Sequence, residues 1–151
     1  MKESDLYETP PEVFEYAALK HGPFDLDACA VLATRKAEAY FGPDHVNEEA
    51  RDALAVDWCQ YDPNMVWMNC PYSDPKPWVE KALEQAKRGV RTVALLPADT
   101  STRWFHLILN NKNCFIEYLP KRVRHIYKGV RSGSPKFGSV LVVFFPEVPY
   151  P

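Results

Sequence analysis

The run Asn69-Cys70-Pro71-Tyr72, which follows the apolar residues 65–68, has the most specific chemistry in the sequence. Asn69 offers an amide oxygen that accepts hydrogen bonds, Pro71 stiffens the backbone, and Tyr72 offers an exposed aromatic ring. An acceptor, a rigid backbone and a ring at the end of a buried strand are suited to holding a planar base that carries an amino group. A proline turn beside a packed tyrosine is the alternative, so the rest of the chain has to decide.

Two aspartates extend this pattern of polar residues near strand ends. Asp27 ends the short segment 24–27 and leads into the small residues 28–30. Asp57 occupies a similar position farther along the chain. Aspartate and asparagine are common turn formers, so each of them alone indicates little. Their joint placement with Asn69 predicts three polar side chains on one edge of a sheet.

Apolar spacing and turn residues predict the elements that position these side chains. The first helix has Thr9 as its N-cap and ends at Gly22-Pro23. Residues 31–64 have weak periodicity and predict short or irregular elements. The remaining predicted elements are, in chain order, strands over 24–27 and 65–68, a helix over 76–88, a strand over 92–96, a helix over 101–110, and strands over 114–119, 123–127 and 139–145.

Alternating strands and helices that close with a hairpin indicate one architecture. They predict a compact three-layer α/β domain with a mostly parallel sheet and a C-terminal antiparallel hairpin. The Gly-, Ser- and Pro-rich residues 129–138 are predicted to form a loop between the last two strands. Open sheets of this kind bind ligands at the carboxyl ends of their strands, where Asp27, Asp57 and Asn69 are expected.

Length and composition limit the class of protein. The 151 residues, 46% of them hydrophobic, fit a single domain over 1–151. The four cysteines are widely scattered without metal-ligand spacing, so we expect neither a disulfide framework nor a metal site. No apolar run is long enough for a membrane helix, and the first residues lack the apolar core of a signal peptide. We therefore expect a soluble, cytoplasmic protein.

Charge is distributed unevenly along the chain. Residues 1–66 hold 14 acidic and 5 basic side chains, whereas residues 67–151 hold 6 acidic and 13 basic ones. No acidic residue occurs between Glu117 and Glu147. The second half therefore predicts a surface on which a polyanion docks, with a solvated basic hairpin as the alternative. The basic side chains of that acid-free segment are Lys121, Arg122, Arg124, Lys128, Arg131 and Lys136.

In this order the motifs resemble those of the DNA N6-adenine methyltransferases, most closely the small phage-encoded Dam-type enzymes. That family's strand-end motif, Asp or Asn followed by Pro-Pro-Tyr, corresponds to residues 69–72, with Cys70 in place of the first proline. Residues 8–13 resemble the element before the cofactor strand, and residues 26–30 resemble the cofactor strand itself. Weaker similarity extends through Leu96-Pro97-Ala98, Trp104-Phe105, Lys121-Arg122-Val123 and Gly133-Ser134-Pro135.

The resemblance implies a Rossmann-like methyltransferase fold that uses S-adenosylmethionine and releases S-adenosylhomocysteine. The family's G-x-G turn is missing near Asp27, so the small residues 28–30 are expected to allow close approach of the cofactor. The implied cofactor residues are Thr9 at the carboxylate, with Pro10 in the same motif, Asp27, Ala28 and Ala30 at the methionine part, Asp57 and Trp58 at the adenine, and Asn69.

The resemblance also implies how the target is held. The side-chain oxygen of Asn69 and the carbonyl of Cys70 would accept the two N6 hydrogens of a flipped-out adenine, with Pro71 in the same loop and Tyr72 stacked on the base. Ser73 and the basic side chains of residues 121–136 would contact the DNA. A core that uses nearly all of the chain leaves no separate target-recognition domain, so short or relaxed sequence specificity is expected.

Two alternatives stay open at this stage. Methylation of the N4 amino group of cytosine uses the same geometry and a related motif. A catalytically silent nucleic-acid-binding module would keep the fold without the reaction, and Cys70 and the missing G-x-G turn favour it. Both a monomer and a homodimer are compatible with these motifs, and no membrane partner is expected.

Overall fold

The computed structural model describes residues 7–133 and 135–147, so Ser134 lies outside the described residues. Short 3-10 helices over Glu48–Ala50 and Trp58–Tyr61 confirm the prediction of short elements between residues 31 and 64. The helices and strands are α1 (Pro11–His21), β1 (Leu26–Asp27), β2 (Ala39–Tyr40), β3 (Val66–Met68), α2 (Lys76–Lys87), β4 (Thr92–Pro97), α3 (Arg103–Leu109), β5 (Cys114–Tyr118), β6 (Ile126–Tyr127), β7 (Val130–Arg131) and β8 (Ser139–Phe144).

Helix α1 begins one residue later than the sequence predicts. Its N-cap is Pro10, whose carbonyl oxygen accepts the backbone N–H groups of Val13 and Phe14 at 3.1 Å. The prediction that Thr9 caps this helix is therefore wrong, because the first turn closes on Pro10. The hydroxyl of Thr9 is buried and makes no hydrogen bond with the described part of the chain.

The central sheet has six strands in the order β2-β1-β3-β4-β8-β5. Strands β2, β1, β3 and β4 pair in parallel, whereas β8 is antiparallel to both β4 and β5. Strands β3 and β8 are buried along their whole length, as expected for apolar strands that are covered on both faces. The predicted mostly parallel sheet is confirmed.

The C-terminal region contains the predicted antiparallel hairpin, in a different place from the last two strand candidates. Strands β6 and β7 pair with each other in a separate two-stranded sheet, so the predicted loop over 129–138 contains a strand. The candidate over 139–145 instead enters the central sheet as β8. Its unbroken apolar run needs cover on both faces, which a surface hairpin does not provide.

Helices cover both faces of the sheet. On one face Ala17 of α1 packs in a cluster with Trp67, Val93 and Leu141. On the other face α2 and α3 contribute to a larger cluster that includes Met68, with their buried residues Val79, Ala82, Trp104, Phe105 and Ile108. The three layers predicted from the sequence are confirmed.

Several absences apply to residues 7–133 and 135–147. No helix in these ranges is long and apolar enough to cross a bilayer. No group of His, Cys, Asp and Glu side chains among them is arranged to hold a metal ion. The four cysteines are thiols rather than disulfides.

Backbone hydrogen bonds align the carboxyl ends of the first three strands. Beyond β1, Ala28 N–H donates to the Trp67 carbonyl at 2.9 Å, and Ala30 N–H donates to the Phe41 carbonyl at 3.0 Å. The chain after β2 then passes so close to β1 that a Cβ atom on Gly42 would lie 1.6 Å from the Ala30 carbonyl oxygen. Only glycine fits at position 42 without moving the backbone at this edge.

Replacing Gly42 by alanine is predicted to destabilise the protein by roughly 1–3 kcal/mol, because the added methyl group meets backbone rather than a movable side chain. Gly138→Ala is the matched control, since a Cβ there has no atom within 4 Å. Urea denaturation of both variants measures the free energies of unfolding. Equal stabilities of the two variants would contradict the predicted clash.

Candidate active site

Two cavities lie at the carboxyl edge of the parallel strands. The larger, of about 570 Å³, is lined by the ends of β1 and β3 and the loops that follow β1 and β2. The smaller, of about 280 Å³, lies between the residues after β3, the end of β4 and residues 132–133 and 135–139. Tyr7 and Asn69 line both cavities. Asn69 therefore stands on a wall that the two spaces share.

The orientation of the Asn69 amide follows from its hydrogen bond to Tyr7. Its Nδ2 atom donates to the backbone carbonyl of Tyr7 at 3.5 Å. A carbonyl oxygen only accepts hydrogen bonds, so the NH₂ end of the amide must face Tyr7. The side-chain oxygen is thereby directed away from the Tyr7 carbonyl, on a residue that lines both cavities.

The three residues after Asn69 divide between the cavities. Cys70 is buried and Tyr72 is partly buried, and both line the smaller cavity, whereas Pro71 lines the larger one. The Tyr72 ring meets the ring of His125 edge to face, with centroids 5.1 Å apart. The expectation of an exposed tyrosine ring is therefore wrong, because this ring is part of the cavity wall. Burial raises the pKa of Tyr72 well above its ordinary value, so the phenol stays neutral.

His125 is a site residue that the sequence did not reveal. It is buried in the wall of the smaller cavity, and its Nε2 atom has no hydrogen-bond partner among the described residues. Burial lowers the pKa of His125 to about 4, so the ring is neutral near pH 7. A lone histidine within a basic run is a weak signal, because nothing local indicates that it faces a cavity.

The larger cavity has buried polar groups on its wall. The Thr9 hydroxyl and the Trp67 indole N–H are both buried without a hydrogen-bond partner in the described ranges. Asp27 is buried beside them, and its carboxylate accepts the backbone N–H groups of Cys29 at 3.2 Å and Lys36 at 2.9 Å. Burial raises the pKa of Asp27 to about 7 despite these two hydrogen bonds.

Small residues keep the same wall open. Ala28 and Ala30 line the larger cavity, and Gly42 joins them from the loop after β2. The family's G-x-G turn is missing near Asp27, but Gly42, 15 positions downstream, brings a glycine to the same cavity wall. Pro10 lies outside the wall, because it is buried as the N-cap of α1.

Asp57 and Trp58 do not lie on the cavity walls formed by the other predicted site residues. Helix α2 starts after the carboxyl end of β3 and returns to the start of β4, so Arg88 lies at the amino edge of the sheet. The Asp57 carboxylate binds Arg88 at 2.6 Å at that edge, and the Trp58 indole is buried in the core. Neither residue lines either cavity, so the expectation that this pair holds the cofactor's adenine stays a prediction that the two cavities do not support.

Two of the predicted DNA-contacting arginines also shape the smaller cavity. The Nη1 atom of Arg122 donates to the Pro135 carbonyl at 3.1 Å. The Nε atom of Arg124 donates to the Ser132 carbonyl at 2.7 Å. Both guanidinium groups hold the cavity-lining loop while the residues themselves stay exposed.

The remaining basic candidates differ in how accessible their charge is. Arg131 forms a bidentate ion pair with Glu12 of α1, at 2.6 and 3.0 Å, so its charge is compensated. Lys128 lies over the ring of Tyr127, with its Nζ atom 5.2 Å from the centroid. Lys121 and Lys136 are exposed, and so is Ser73, the uncharged residue that was also predicted to contact DNA.

Comparison with known proteins identifies the family. The family described as DNA N-6-adenine-methyltransferase (Dam) matches residues 1–148. A DNA N-6-adenine-methyltransferase of Haemophilus phage HP1 is 32% identical over 152 aligned residues, covering 98% of this chain and 83% of the relative. One of Escherichia phage T1 is 37% identical over 101 residues, covering 67% of this chain and 39% of the relative. No solved structure matches significantly. The chain belongs to the DNA N-6-adenine-methyltransferase (Dam) family.

Proposed function

We propose that this protein is an adenine-specific DNA methyltransferase that uses S-adenosylmethionine to methylate the N6 amino group of adenine. The observation that carries the proposal is the position of Asn69, on the wall between two cavities of different size. A methyl transfer needs donor and acceptor in neighbouring spaces with the reacting atoms aligned. The names of the two phage relatives support the same activity.

The larger cavity suits the cofactor. Its unpartnered Thr9 hydroxyl can donate to a carboxylate, and the Asp27 carboxylate can attract a cationic centre. When bound, S-adenosylmethionine supplies a methyl group activated by a positively charged sulfur. Since neither Asp57 nor Trp58 lines this cavity, we assign the adenine end of the cofactor to the part of the wall formed by Phe41, Asp52 and Ala53.

The smaller cavity suits the target base. The Asn69 oxygen and the Cys70 backbone carbonyl are the acceptors for the two N6 hydrogens, with the Tyr72 ring as the adjacent wall. The N6 lone pair of adenine is delocalised into the ring, and two acceptors in fixed positions direct it toward the larger cavity. A stacked adenine cannot reach this space, so the base must leave the duplex.

The residues of this site align the reactants and do not abstract a proton from the adenine before the methyl group is transferred. The Asn69 amide is neutral and accepts hydrogen bonds without acting as a base. Positive charge that develops on N6 is stabilised by the same two oxygen atoms. The proton then leaves to water, because the described structure places no carboxylate on the wall of the smaller cavity.

We also propose a more specific fold than an α/β domain with a mostly parallel sheet. We assign residues 1–151 to one Rossmann-like methyltransferase domain, since the larger cavity lies at the carboxyl ends of parallel strands. The smaller cavity is bordered by short stretches such as residues 132–133 and 135–138, which offer little surface for reading bases. Short or relaxed sequence specificity follows from this arrangement.

Asn69→Ala is predicted to lower methyl transfer to DNA by at least about 100-fold, because one of the two acceptors at N6 is removed. The assay incubates protein, labelled S-adenosylmethionine and unmodified DNA, followed by nucleoside analysis for N6-methyladenine and N4-methylcytosine. Asn110→Ala is the control, since Asn110 is exposed at the end of α3 and lines neither cavity.

An Asn69→Ala protein that methylates DNA at the wild-type rate would refute the assigned site. Label found only in N4-methylcytosine would move the assignment to the cytosine reaction. If the wild-type protein binds DNA but neither binds the cofactor nor transfers label, the silent binding module is the correct interpretation.

Cofactor affinity is predicted to depend on pH through Asp27. With a pKa of about 7, this carboxyl group is mostly neutral at pH 6 and mostly ionised at pH 8. The ionised form attracts the sulfonium charge, so S-adenosylmethionine should bind about tenfold more tightly at pH 8 than at pH 6. Calorimetry at both pH values measures this. S-adenosylhomocysteine has no sulfonium charge and should show a smaller change, and Asp27→Asn should abolish the difference between the ligands.

Removing the Glu12 carboxylate is predicted to tighten DNA binding. Glu12→Gln releases Arg131 from its ion pair and removes a negative charge beside the basic segment. The slope of log affinity against log salt concentration should steepen by about the amount that one additional phosphate contact contributes. Fluorescence anisotropy between about 50 and 200 mM salt measures this slope. Glu80→Gln, which breaks the surface pair with Lys76 on α2, should leave it unchanged, and identical slopes for both variants would contradict a DNA contact by Arg131.

A further inference from the structure

Phe137 is an exposed aromatic residue at the border of the smaller cavity. About 41% of its surface is exposed, although it also lines that cavity. Exposed apolar residues are common on proteins, so exposure alone indicates no role. Phe137 also stands between solvent and a cavity that is large enough for a base, and this position is what suggests a role.

The segment that carries Phe137 is fixed at both sides. Arg122 and Arg124 donate to the carbonyl oxygens of Pro135 and Ser132, as described above. On the other side, Gly138 accepts the backbone N–H of Ala98, which follows β4, at 2.8 Å. The ring is therefore presented from an anchored part of the chain.

The interior of the smaller cavity already has aromatic walls. Tyr72 and His125 pack edge to face there, and both are more enclosed than Phe137. A base that enters the cavity leaves a gap in the duplex stack, and proteins that distort DNA frequently insert apolar side chains between base steps. The exposed part of Phe137 is available for this, with the exposed Lys136 beside it to meet a phosphate.

We propose that Phe137 inserts into the duplex at the position vacated by the target adenine and holds the base outside the stack. This role rests on the proposed methyltransferase function and adds a positioning residue to it. Val130 is more exposed, at 69%, but it does not line the smaller cavity. Phe137 therefore combines an exposed apolar surface with a position at the border of the proposed base site.

The test compares two duplexes that contain the same mapped target adenine. In one the adenine is paired with thymine, and in the other it faces an abasic site, so that no base pair has to be broken. Phe137→Ala should lower kcat/KM at least about tenfold on the paired duplex, since a wedge offsets the cost of unstacking and unpairing. On the abasic duplex the loss should be less than about threefold, and Phe137→Leu should retain most activity on both.

Phe115→Ala is the matched control, because Phe115 is a half-exposed phenylalanine on β5 and lines neither cavity. It should behave like the wild type on both duplexes. Thermal unfolding and cofactor binding of Phe137→Ala should also match the wild type.

Equal losses on both duplexes would overturn the proposal, because they would indicate that Phe137 contacts the base inside the cavity. Unchanged activity of Phe137→Ala on the paired duplex would overturn it as well. If the wild-type protein methylates neither duplex, the proposed function itself fails, and the role of Phe137 fails with it.

Discussion

Parallel pairing of β1 with β3 is the constraint on which the site depends. Leu26 pairs with Val66 and Asp27 with Trp67, and the backbone continues this register into Ala28. Because both strands run in the same direction, Asp27 and Asn69 arrive at one edge although 42 positions separate them. The loops after these strands line the larger cavity, and the residues after β3 also form one wall of the smaller one.

This edge carries polar groups that the protein itself leaves unsatisfied. Among the described residues, five buried side-chain nitrogen or oxygen atoms have no hydrogen-bond partner, and four of them belong to residues that line a cavity. Each such group costs about 1–3 kcal/mol when it is left unpaired. The four are the hydroxyls of Thr9 and Tyr72, the Trp67 indole N–H and the His125 Nε2 atom. Ligands that satisfy these groups would recover part of that cost, which supports the proposed cofactor and base sites at this edge.

The basic segment serves the fold and the proposed DNA surface together. Arg122 and Arg124 hold the loop that borders the smaller cavity, and Arg131 joins the hairpin to α1 through Glu12. Guanidinium groups have several donors, so one contact to a carbonyl leaves others for a phosphate. A charge count from sequence cannot separate these uses, because the carbonyl and carboxylate partners come from other parts of the chain.

The sequence by itself determined the features that depend on neighbouring residues. Apolar runs that end in Asp27 and Asn69 indicated strand ends, and the alternation of strands and helices indicated a three-layer α/β fold with a mostly parallel sheet. Tertiary structure decided which loops meet at the edge. Gly42 and His125 approach the cavities through contacts far away in sequence, whereas α2 draws Asp57 to the opposite edge through Arg88. The local pattern around Asp57 resembles that around Asp27, but Asp27 ends a strand of the central sheet, whereas Asp57 is the N-cap of a 3-10 helix.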